Sequence, residues 1–368
     1  MIAPDHSSMT LPGIIGLAGL PVHAVDLQKA AATVDAAAAR GVRCFLSTPN
    51  LNFLIASQTN PLLRQSVVMS DLSVADGMPL LWLARLLGVR LPERVAGSDL
   101  FQLLREQRCE EPHKVFFFGG EGDAAEVAYR RLANERLGLV GVGALNPGFG
   151  DVLSLSEPDI LEQINSSGAD VLVVSLGAAK GQAWILHNFA ALKVPVVSHL
   201  GAVVNFVAGR VARAPAWMQR LGLEWVWRIA EEPKLWRRYL SDGLALIGLV
   251  FTKVLAYTLW LWMQAPKTTA STELHIKESS DHVEVCLPAA LSRANQASLM
   301  EQLLPAIAMG KGLSLNMAQV SYIDPAGLGL ILWLEHHVLH AGRELTITQA
   351  SPAIQRVLRW NNMTHLVA

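Results

Sequence analysis

Cysteine and charge are both scarce in this sequence of 368 residues. The three cysteines, Cys44, Cys109 and Cys286, lie far apart and include no CxxC pair. Their spacing argues against a disulfide framework and indicates reduced thiols in a cytosolic protein. Charged residues make up 17% of the chain, and the formal net charge is −1. This balance argues against nucleic acid as a partner, and it requires any basic patch to be local.

The N-terminal pattern lacks a secretory signal. Residues 1–10 contain no cationic stretch, and three glycines interrupt the short apolar segment 11–20. We therefore expect the protein to stay in the cytoplasm. Hydrophobic residues make up 51% of the chain, which is enough for two domains with large cores and also hints at membrane contact.

Short buried strands that end at glycine alternate with helical stretches over residues 13–240. This alternation predicts a Rossmann-like α/β domain, with a mostly parallel sheet covered by helices on both faces. Ligands of such sheets bind at the carboxyl ends of the strands. The expected strands are 42–48, 114–118, 171–176 and 195–200, and the expected helices include 61–68, 79–87 and 123–137.

Residues 210–238 are basic and rich in tryptophan. Seven cationic side chains face three anionic ones, and four tryptophans lie between them. This mixture is typical of a segment that contacts an anionic membrane surface, although an ordinary helical edge with solvated arginines gives the same pattern. The arginines that we expect at the membrane are Arg213, Arg220, Arg228, Arg237 and Arg238.

The segment 243–263 is apolar and carries a single charge, Lys253. Its length would suffice to span a bilayer. Lys253, Tyr257, Trp260 and Gln264 recur at helical spacing, which favours an in-plane or shallowly inserted helix, or a packed helical pair. A buried helix of a soluble protein is the alternative.

These patterns divide the chain into an α/β domain (1–209), a membrane-associating appendage (210–264), a linker (265–272) and a small α/β unit (273–368).

His336 and His337 lie on a helix of the small unit, and we expect them to face solvent. No DxD-like pair and no His/Cys cluster with ligand spacing is visible, so the sequence predicts neither a metal site nor a cofactor.

Residues 45–240 resemble the WecG/TagA/CpsF family of bacterial glycosyltransferases. The matching blocks occur in the family's order over most of the first domain. They are STPN (47–50), ADGMP (75–79), RVAGSDL (94–100), FGG (118–120), AGR (208–210), RAP (213–215), LEWVWR (223–228) and EP (232–233).

The resemblance implies an inverting, metal-independent transferase that uses Asp76 as catalytic base. Read alone, Asp76 is better explained as a cap for the helix 79–87, and the resemblance is what favours the catalytic role. The resemblance also places substrate contacts at Thr48 and Asn50. The Arg94 guanidinium is suited to a phosphate, and Asp99 is a further candidate for substrate binding. The alternatives are a turn around Pro49, an ion pair of Arg94 with Glu93 or Asp99, and a helix cap at Asp99.

Donor recognition is the part where the sequence departs from the family. Gly119, Gly120 and Gly177 suit close approach of a diphosphate to backbone. The family's Gly-x-Pro-Lys-Gln-Glu block is Gly-Ala-Ala-Lys-Gly-Gln at 177–182, and Asn205 replaces an aspartate of the nucleotide site. We expect Gln182 and Asn205 to take over nucleotide contacts.

Residues 273–368 look like a STAS domain, on the basis of the block VSYIDPAGLG (320–329). The phosphorylated serine of regulatory STAS proteins would fall at Pro325 or Ala326, so we expect a role in docking a protein partner or in self-association. STAS and transferase domains both normally work in the cytoplasm. A single span through 243–263 would separate them, so we expect peripheral or re-entrant attachment.

Two functions are compatible with these observations. The first is transfer of a hexose or N-acetylhexosamine from a UDP-sugar to an undecaprenyl-diphosphate-linked acceptor, at the inner face of the cytoplasmic membrane, with the basic segment near the acceptor's diphosphate. The second is a degenerate transferase that serves as a membrane-surface scaffold through its STAS-like domain. Binding of UDP distinguishes the two.

Overall fold

A computed structural model describes residues 13–107, 109–135, 137–215, 217–218, 222–264, 272–279 and 282–368. The N-terminal segment 1–10, Arg220 and nearly all of the linker 265–272 therefore lie outside the described residues. The chain starts with a hairpin of β1 (Ile14–Leu17) and β2 (Leu20–His23).

A six-stranded parallel sheet forms the centre of the first domain, in the order β4-β3-β8-β7-β5-β6. Its strands are β3 (Cys44–Ser47), β4 (Leu72–Ser73), β5 (His113–Gly119), β6 (Leu139–Leu145), β7 (Val171–Ser175) and β8 (Val196–His199). The inner strands are almost wholly buried, because helices cover both faces, whereas the edge strand β6 is mostly half-buried.

Alternate side chains of the strands enter two different hydrophobic cores. Phe117 and Val173 pack into one, whereas Phe116, Phe118 and Trp184 pack into the other. This arrangement confirms the expected α/β fold. The helices are α1 (Leu27–Arg40), α2 (Leu51–Ala56), α3 (Pro61–Val68), α4 (Met78–Leu86), α5 (Gly97–Glu106), α6 (Ala124–Glu135), α7 (Pro158–Ser166), α8 (Ala178–Asn188) and α9 (Gly201–Val207).

The appendage consists of α10 (Glu224–Glu231) and one long helix, α11 (Pro233–Gln264), with a π-helical turn at Val250–Val254. One face of α11 packs against protein. Asn52 donates to Asp242 over 3.0 Å, Lys253 donates to Gln58 over 3.0 Å, and the Tyr257 hydroxyl donates to the carbonyl of Ile323 over 2.9 Å.

Lys253, Tyr257 and Trp260, which the sequence suggested as an interfacial stripe, therefore face protein. An apolar stripe runs along the outward face of the helix. Its exposed side chains recur every three or four residues: Trp236, Leu240, Leu244, Ile247, Phe251, Leu255, Leu259 and Trp262. We call this set the α11 stripe.

The C-terminal unit has its own four-stranded sheet in the order β14-β12-β10-β9, in which only β9 is antiparallel. A short parallel pair, β11 and β13, lies beside it. The elements are β9 (His275–Glu278), β10 (His282–Cys286), β11 (Ala290–Leu291), α12 (Gln296–Ala308), β12 (Gly312–Asn316), β13 (Tyr322–Ile323), α13 (Pro325–His340), β14 (Leu345–Thr348) and α14 (Pro352–Trp360).

The helix α13 joins the two units through a shared core. Its side chains are buried nearly all round, which is typical of a helix enclosed by protein. The hairpin β1–β2 lies directly on it: a Cβ at Gly329 would come within 2.2 Å of the Ile14 carbonyl oxygen. Only glycine permits so close an approach between the two backbones.

The expectation that His336 and His337 face solvent is wrong. Both rings are partly buried, because α13 packs against the first domain. His336 Nδ1 lies 3.0 Å from the carbonyl oxygen of Val68, at the end of α3. Nearby, Arg64 of α3 and Glu335 of α13 form a buried two-bond ion pair at 2.9 and 2.8 Å.

Candidate active site

Asp76 lies in the loop that leads from the carboxyl end of β4 to α4. Its backbone N–H donates to the carbonyl of Pro49, and its Oδ2 accepts from the N–H of Gly97 over 3.4 Å. Gly77 is the N-cap residue of α4, and no described side chain caps that helix. The carboxylate is therefore directed to the start of α5 rather than to the helix that follows it in sequence.

Thr48 and Asn50 follow the carboxyl end of β3, the strand next to β4 in the sheet. The Thr48 side chain is buried against Gly97, where an added Cβ would be 3.2 Å from Oγ1. Asn50 is the N-cap of α2 and accepts from the N–H of Phe53 over 3.2 Å. The structure thus brings Thr48, Asn50 and Asp76 together at the carboxyl ends of β3 and β4.

Arg94 and Asp99 belong to a network of four charged side chains beside Asp76. Arg94 donates to Asp99 over 2.6 Å and to Glu224 over 2.8 Å. Arg213 binds the other carboxylate oxygen of Asp99. Asp99 does not cap α5, because both of its oxygens bind arginines. Of the two ion pairs considered for Arg94, the one with Asp99 is formed, whereas Glu93 accepts from the backbone N–H of Leu27.

This environment changes the acidity of Asp76. Burial raises the pKa of its carboxyl from the ordinary value to about 7, against the opposing charge of Arg94. The negative charges of Glu224 and Asp99 raise the pKa further, and the hydrogen bond from Gly97 lowers it. A carboxyl with a pKa near neutrality is suited to general base catalysis in the cytoplasm.

The three candidate diphosphate glycines all have positive φ, from +82° to +97°. Gly119 is required by packing, since a Cβ there would lie 2.5 Å from the carbonyl oxygen of Ser175. Gly177 differs, because no described atom lies within 4 Å of the position that its Cβ would take. It precedes α8, whose first N–H groups are bonded by no described side chain. That helix start is accessible to an anion.

The two polar side chains expected at the nucleotide differ in position. Asn205 lies half-buried on α9, beside the ends of β7 and β8. Gln182 is fully buried and bonds the Ser47 hydroxyl through its Nε2 over 3.1 Å. Its side chain therefore supports the end of β3 from inside the protein and is not accessible to a bound nucleotide.

His199 is a residue of this region that sequence reasoning missed. It ends β8 and is buried, and its Nε2 is without a hydrogen-bond partner among the described residues. A Cβ at Gly181 would come within 2.2 Å of its Cδ2, so the imidazole occupies the space beside α8. Burial lowers its pKa to about 4, which keeps the ring neutral.

The basic segment contributes to two different surfaces. The guanidinium groups of Arg213 and Arg228 both lie 5.8 Å from the centre of the Phe206 ring, on α9. A cleft of about 400 Å³ beside them is lined by Ser98, Phe101, Phe206 and Arg213 among others. Arg237 and Arg238 are exposed on the first turns of α11, next to Trp236 and Tyr239. The α11 stripe starts at the same point.

Comparison with known proteins places the chain in a family. Residues 15–258, about two thirds of the chain, match the glycosyl transferase WecG/TagA/CpsF family, and residues 274–368 match a STAS domain of the Mlab type. Two similar proteins are N-acetylglucosaminyldiphosphoundecaprenol N-acetyl-beta-D-mannosaminyltransferases, from Bacillus spizizenii and Bacillus subtilis.

The Bacillus spizizenii protein is 27% identical over 198 residues, which cover 54% of this chain and 75% of the relative. The Bacillus subtilis protein is 30% identical over 173 residues, which cover 47% of this chain and 65% of the relative. Both matches are too short to include the STAS domain together with the whole first domain. By the extent of the family match, the chain belongs to the WecG/TagA/CpsF glycosyltransferases and carries a C-terminal STAS domain.

Proposed function

We propose that this protein transfers a hexose or N-acetylhexosamine from a UDP-sugar to an undecaprenyl-diphosphate-linked acceptor, with inversion and without a catalytic metal. The observation that carries the proposal is the half-buried Asp76 carboxyl, with a pKa raised to about 7, beside a network of two arginines and two carboxylates. The two Bacillus relatives are named as enzymes that transfer a sugar onto a lipid of this kind.

The reaction needs one proton acceptor and one stabilised leaving group. Asp76 takes the proton of the acceptor hydroxyl, whose oxygen attacks the anomeric carbon of the donor from the face opposite UDP. The bond from that carbon to the diphosphate oxygen breaks, and UDP leaves with the electron pair. The start of α8 behind Gly177 offers N–H groups to the developing negative charge.

The acceptor side is formed by Thr48, Asn50 and the arginines beside α9. Thr48 and Asn50 lie at the strand ends next to Asp76, where sugar hydroxyls can be oriented. Arg213 and Arg228 lie at the cleft on the appendage side, where a lipid-linked diphosphate would approach from the membrane.

The pH dependence follows from the raised pKa of Asp76. The base must be ionised, so kcat/KM should rise with pH through about 7 and level off above it. The measurement is a pH profile of kcat/KM over about pH 5.5 to 9, with stability checked at each pH. A profile that stays flat through neutrality would argue against Asp76 as the base.

We also propose that the protein lies on the membrane through the α11 stripe. By length and composition, α11 could cross a bilayer. The helix bonds Gln58 of the first domain and Ile323 of the C-terminal unit. If it crossed the bilayer, these parts of both folded units would have to enter the hydrocarbon. A helix parallel to the surface instead buries a stripe about 40 Å long and leaves both units on one side.

Charged substitutions in the stripe should release the protein from membranes. Leu244 and Phe251 are 61% and 70% exposed, so Leu244→Glu with Phe251→Glu should leave the fold intact. We expect at least tenfold weaker binding to vesicles of anionic phospholipid, because each buried apolar side chain contributes about 1.5–3 kcal/mol. Co-sedimentation with phosphatidylglycerol vesicles measures the effect.

The matched control is Leu153→Glu, which charges an equally exposed leucine (67%) outside α11. Its vesicle binding should equal that of the unchanged protein. Equal release of the control, or full retention of the double variant, would contradict attachment through the stripe.

The second candidate function is a scaffold without activity. The observation that favours it concerns positions 181 and 182 on the donor side. Gly181 has no side chain, and the His199 ring fills the space beside it, while the Gln182 side chain is buried. Neither position therefore offers a side chain to the donor. Calorimetry with UDP decides between the two: saturable binding supports the transferase, and its absence supports the scaffold.

A further inference from the structure

Three potential metal ligands meet where the first domain packs against α13. Asp71 immediately precedes β4, and His336 and His340 lie one helical turn apart on α13. One ring nitrogen of each histidine and one carboxylate oxygen of Asp71 all lie within 4.8 Å of one another. We propose that these three side chains bind a divalent transition metal ion, with Zn²⁺ as the best fit.

A backbone carbonyl holds one nitrogen of each ring. His336 Nδ1 lies 3.0 Å from the Val68 carbonyl oxygen, and His340 Nε2 lies 3.1 Å from that of Met69. A histidine that donates one N–H to a carbonyl presents the lone pair of its other nitrogen to a metal. His336 thus directs Nε2 toward Asp71 Oδ1, which is 3.7 Å away.

The carboxylate is fixed in the same way. Asp71 Oδ2 accepts from the backbone N–H of Phe45 over 2.7 Å, which ties the side chain to β3 while Oδ1 faces His336. Two imidazole nitrogens and one carboxylate oxygen form a ligand set that Zn²⁺ accepts, with a fourth position for water. His336 and His340, four residues apart on one helix face, also have a spacing suited to a single ion, which was overlooked in the sequence because its third ligand lies 265 positions earlier.

The position separates this site from the reaction. Asp71 precedes β4 and Asp76 follows it, so the proposed ion and the proposed base lie at opposite ends of one strand. The ion would bridge the first domain and the STAS domain, because its ligands come from both. Its role is therefore to hold the two units together, and the inference does not depend on the proposed catalytic function.

Zn²⁺ binding to the full-length protein tests the proposal. After removal of metal with a chelator, calorimetry with Zn²⁺ alone should show one site per chain, and Zn²⁺ should raise the Tm. His340→Ala removes an exposed ring and should weaken the affinity at least tenfold, with loss of the Tm increase. His275→Ala, at an exposed histidine of β9, should leave both unchanged.

A second variant tests Asp71, the ligand that the first domain contributes. Asp71→Asn keeps an acceptor for the Phe45 N–H but removes the charge, and it should also weaken Zn²⁺ binding at least tenfold. Absence of saturable binding, or undiminished affinity in both His340→Ala and Asp71→Asn, would overturn the proposal.

Discussion

Replacing Asp76 with asparagine is expected to lower kcat for sugar transfer by a factor of about 10² to 10⁴, the usual contribution of a positioned general base. The amide is isosteric and can still accept from the N–H of Gly97, but it cannot take a proton. Rates of transfer from radiolabelled UDP-sugar, measured at saturating donor, provide the test.

The same substitution separates catalysis from folding. Burial raises the pKa of Asp76, so its ionised form destabilises the folded state above the ordinary carboxyl pKa. Asp76→Asn should therefore be as stable as the unchanged protein at pH 8, or more stable, and should still bind UDP. Asp159→Asn, at an exposed residue of α7, should keep full activity. Activity in Asp76→Asn close to that of this control would remove Asp76 from the mechanism.

The second large effect concerns the ion pair between the two units. Glu335→Ala should destabilise the protein by about 3–5 kcal/mol, because it leaves the buried Arg64 guanidinium without its partner. Urea unfolding measures the loss. Glu301→Ala, at an exposed residue of α12, should change the stability by less than about 0.5 kcal/mol.

A double variant tests whether the pair itself is stabilising. Arg64 Nε is buried and unbonded within the described part of the chain, so the pair carries a desolvation cost. Arg64→Met with Glu335→Leu should recover much of the loss of Glu335→Ala. A double variant less stable than Glu335→Ala would show that the ion pair does more than avoid an unpaired charge.

The pair also predicts acid sensitivity. Burial raises the pKa of Glu335, but hydrogen bonds and charge from Arg64 and His365 outweigh it and hold the pKa at about 2. A lowered folded-state pKa gives stability that is present above the ordinary carboxyl pKa of about 4.5. That stability, roughly 3 kcal/mol, is lost as the pH falls toward 2. The Glu335→Ala variant should lack this part of the acid transition.

The local features of the fold were predictable from sequence. The helix Pro61–Val68 starts and ends where the pattern predicts, because Asn60 caps it and proline begins it. The buried strands were visible as short apolar runs that end at glycine. Thr48 and Asn50 were expected after a strand, whereas the short strand before Asp76 was not among the expected ones and only the family resemblance implied that Asp76 belongs to the same site.

Long-range contacts were not predictable, since they depend on partners far apart in the chain. His336 looked like a surface histidine because its neighbours Val68 and Asp71 lie more than 260 positions earlier. Gln182 looked like a nucleotide ligand, but the helical turn directs it to Ser47 inside the protein. His199 carries no sequence signal, and only the absence of a side chain at Gly181 makes room for it.

The STAS domain packs against other parts of the same chain. The Tyr257 hydroxyl bonds Ile323, and the rings of Trp260 and Tyr322 stack at 5.8 Å, so α11 lies against β13, just before the start of α13. The hairpin β1–β2 covers the next turns of α13. Within the described chain, this part of the STAS domain contacts its own transferase domain. Its role in docking a protein partner or in self-association stays a prediction.

The most direct test of the central proposal is transfer by the purified full-length protein in the presence of EDTA. The substrates are radiolabelled UDP-N-acetylhexosamines or UDP-hexoses and an undecaprenyl-diphosphate-linked N-acetylglucosamine in phospholipid vesicles. We predict label in the lipid fraction with an inverted anomeric configuration, and its loss in Asp76→Asn. No transfer from any of these donors, or a product with retained configuration, would contradict the account.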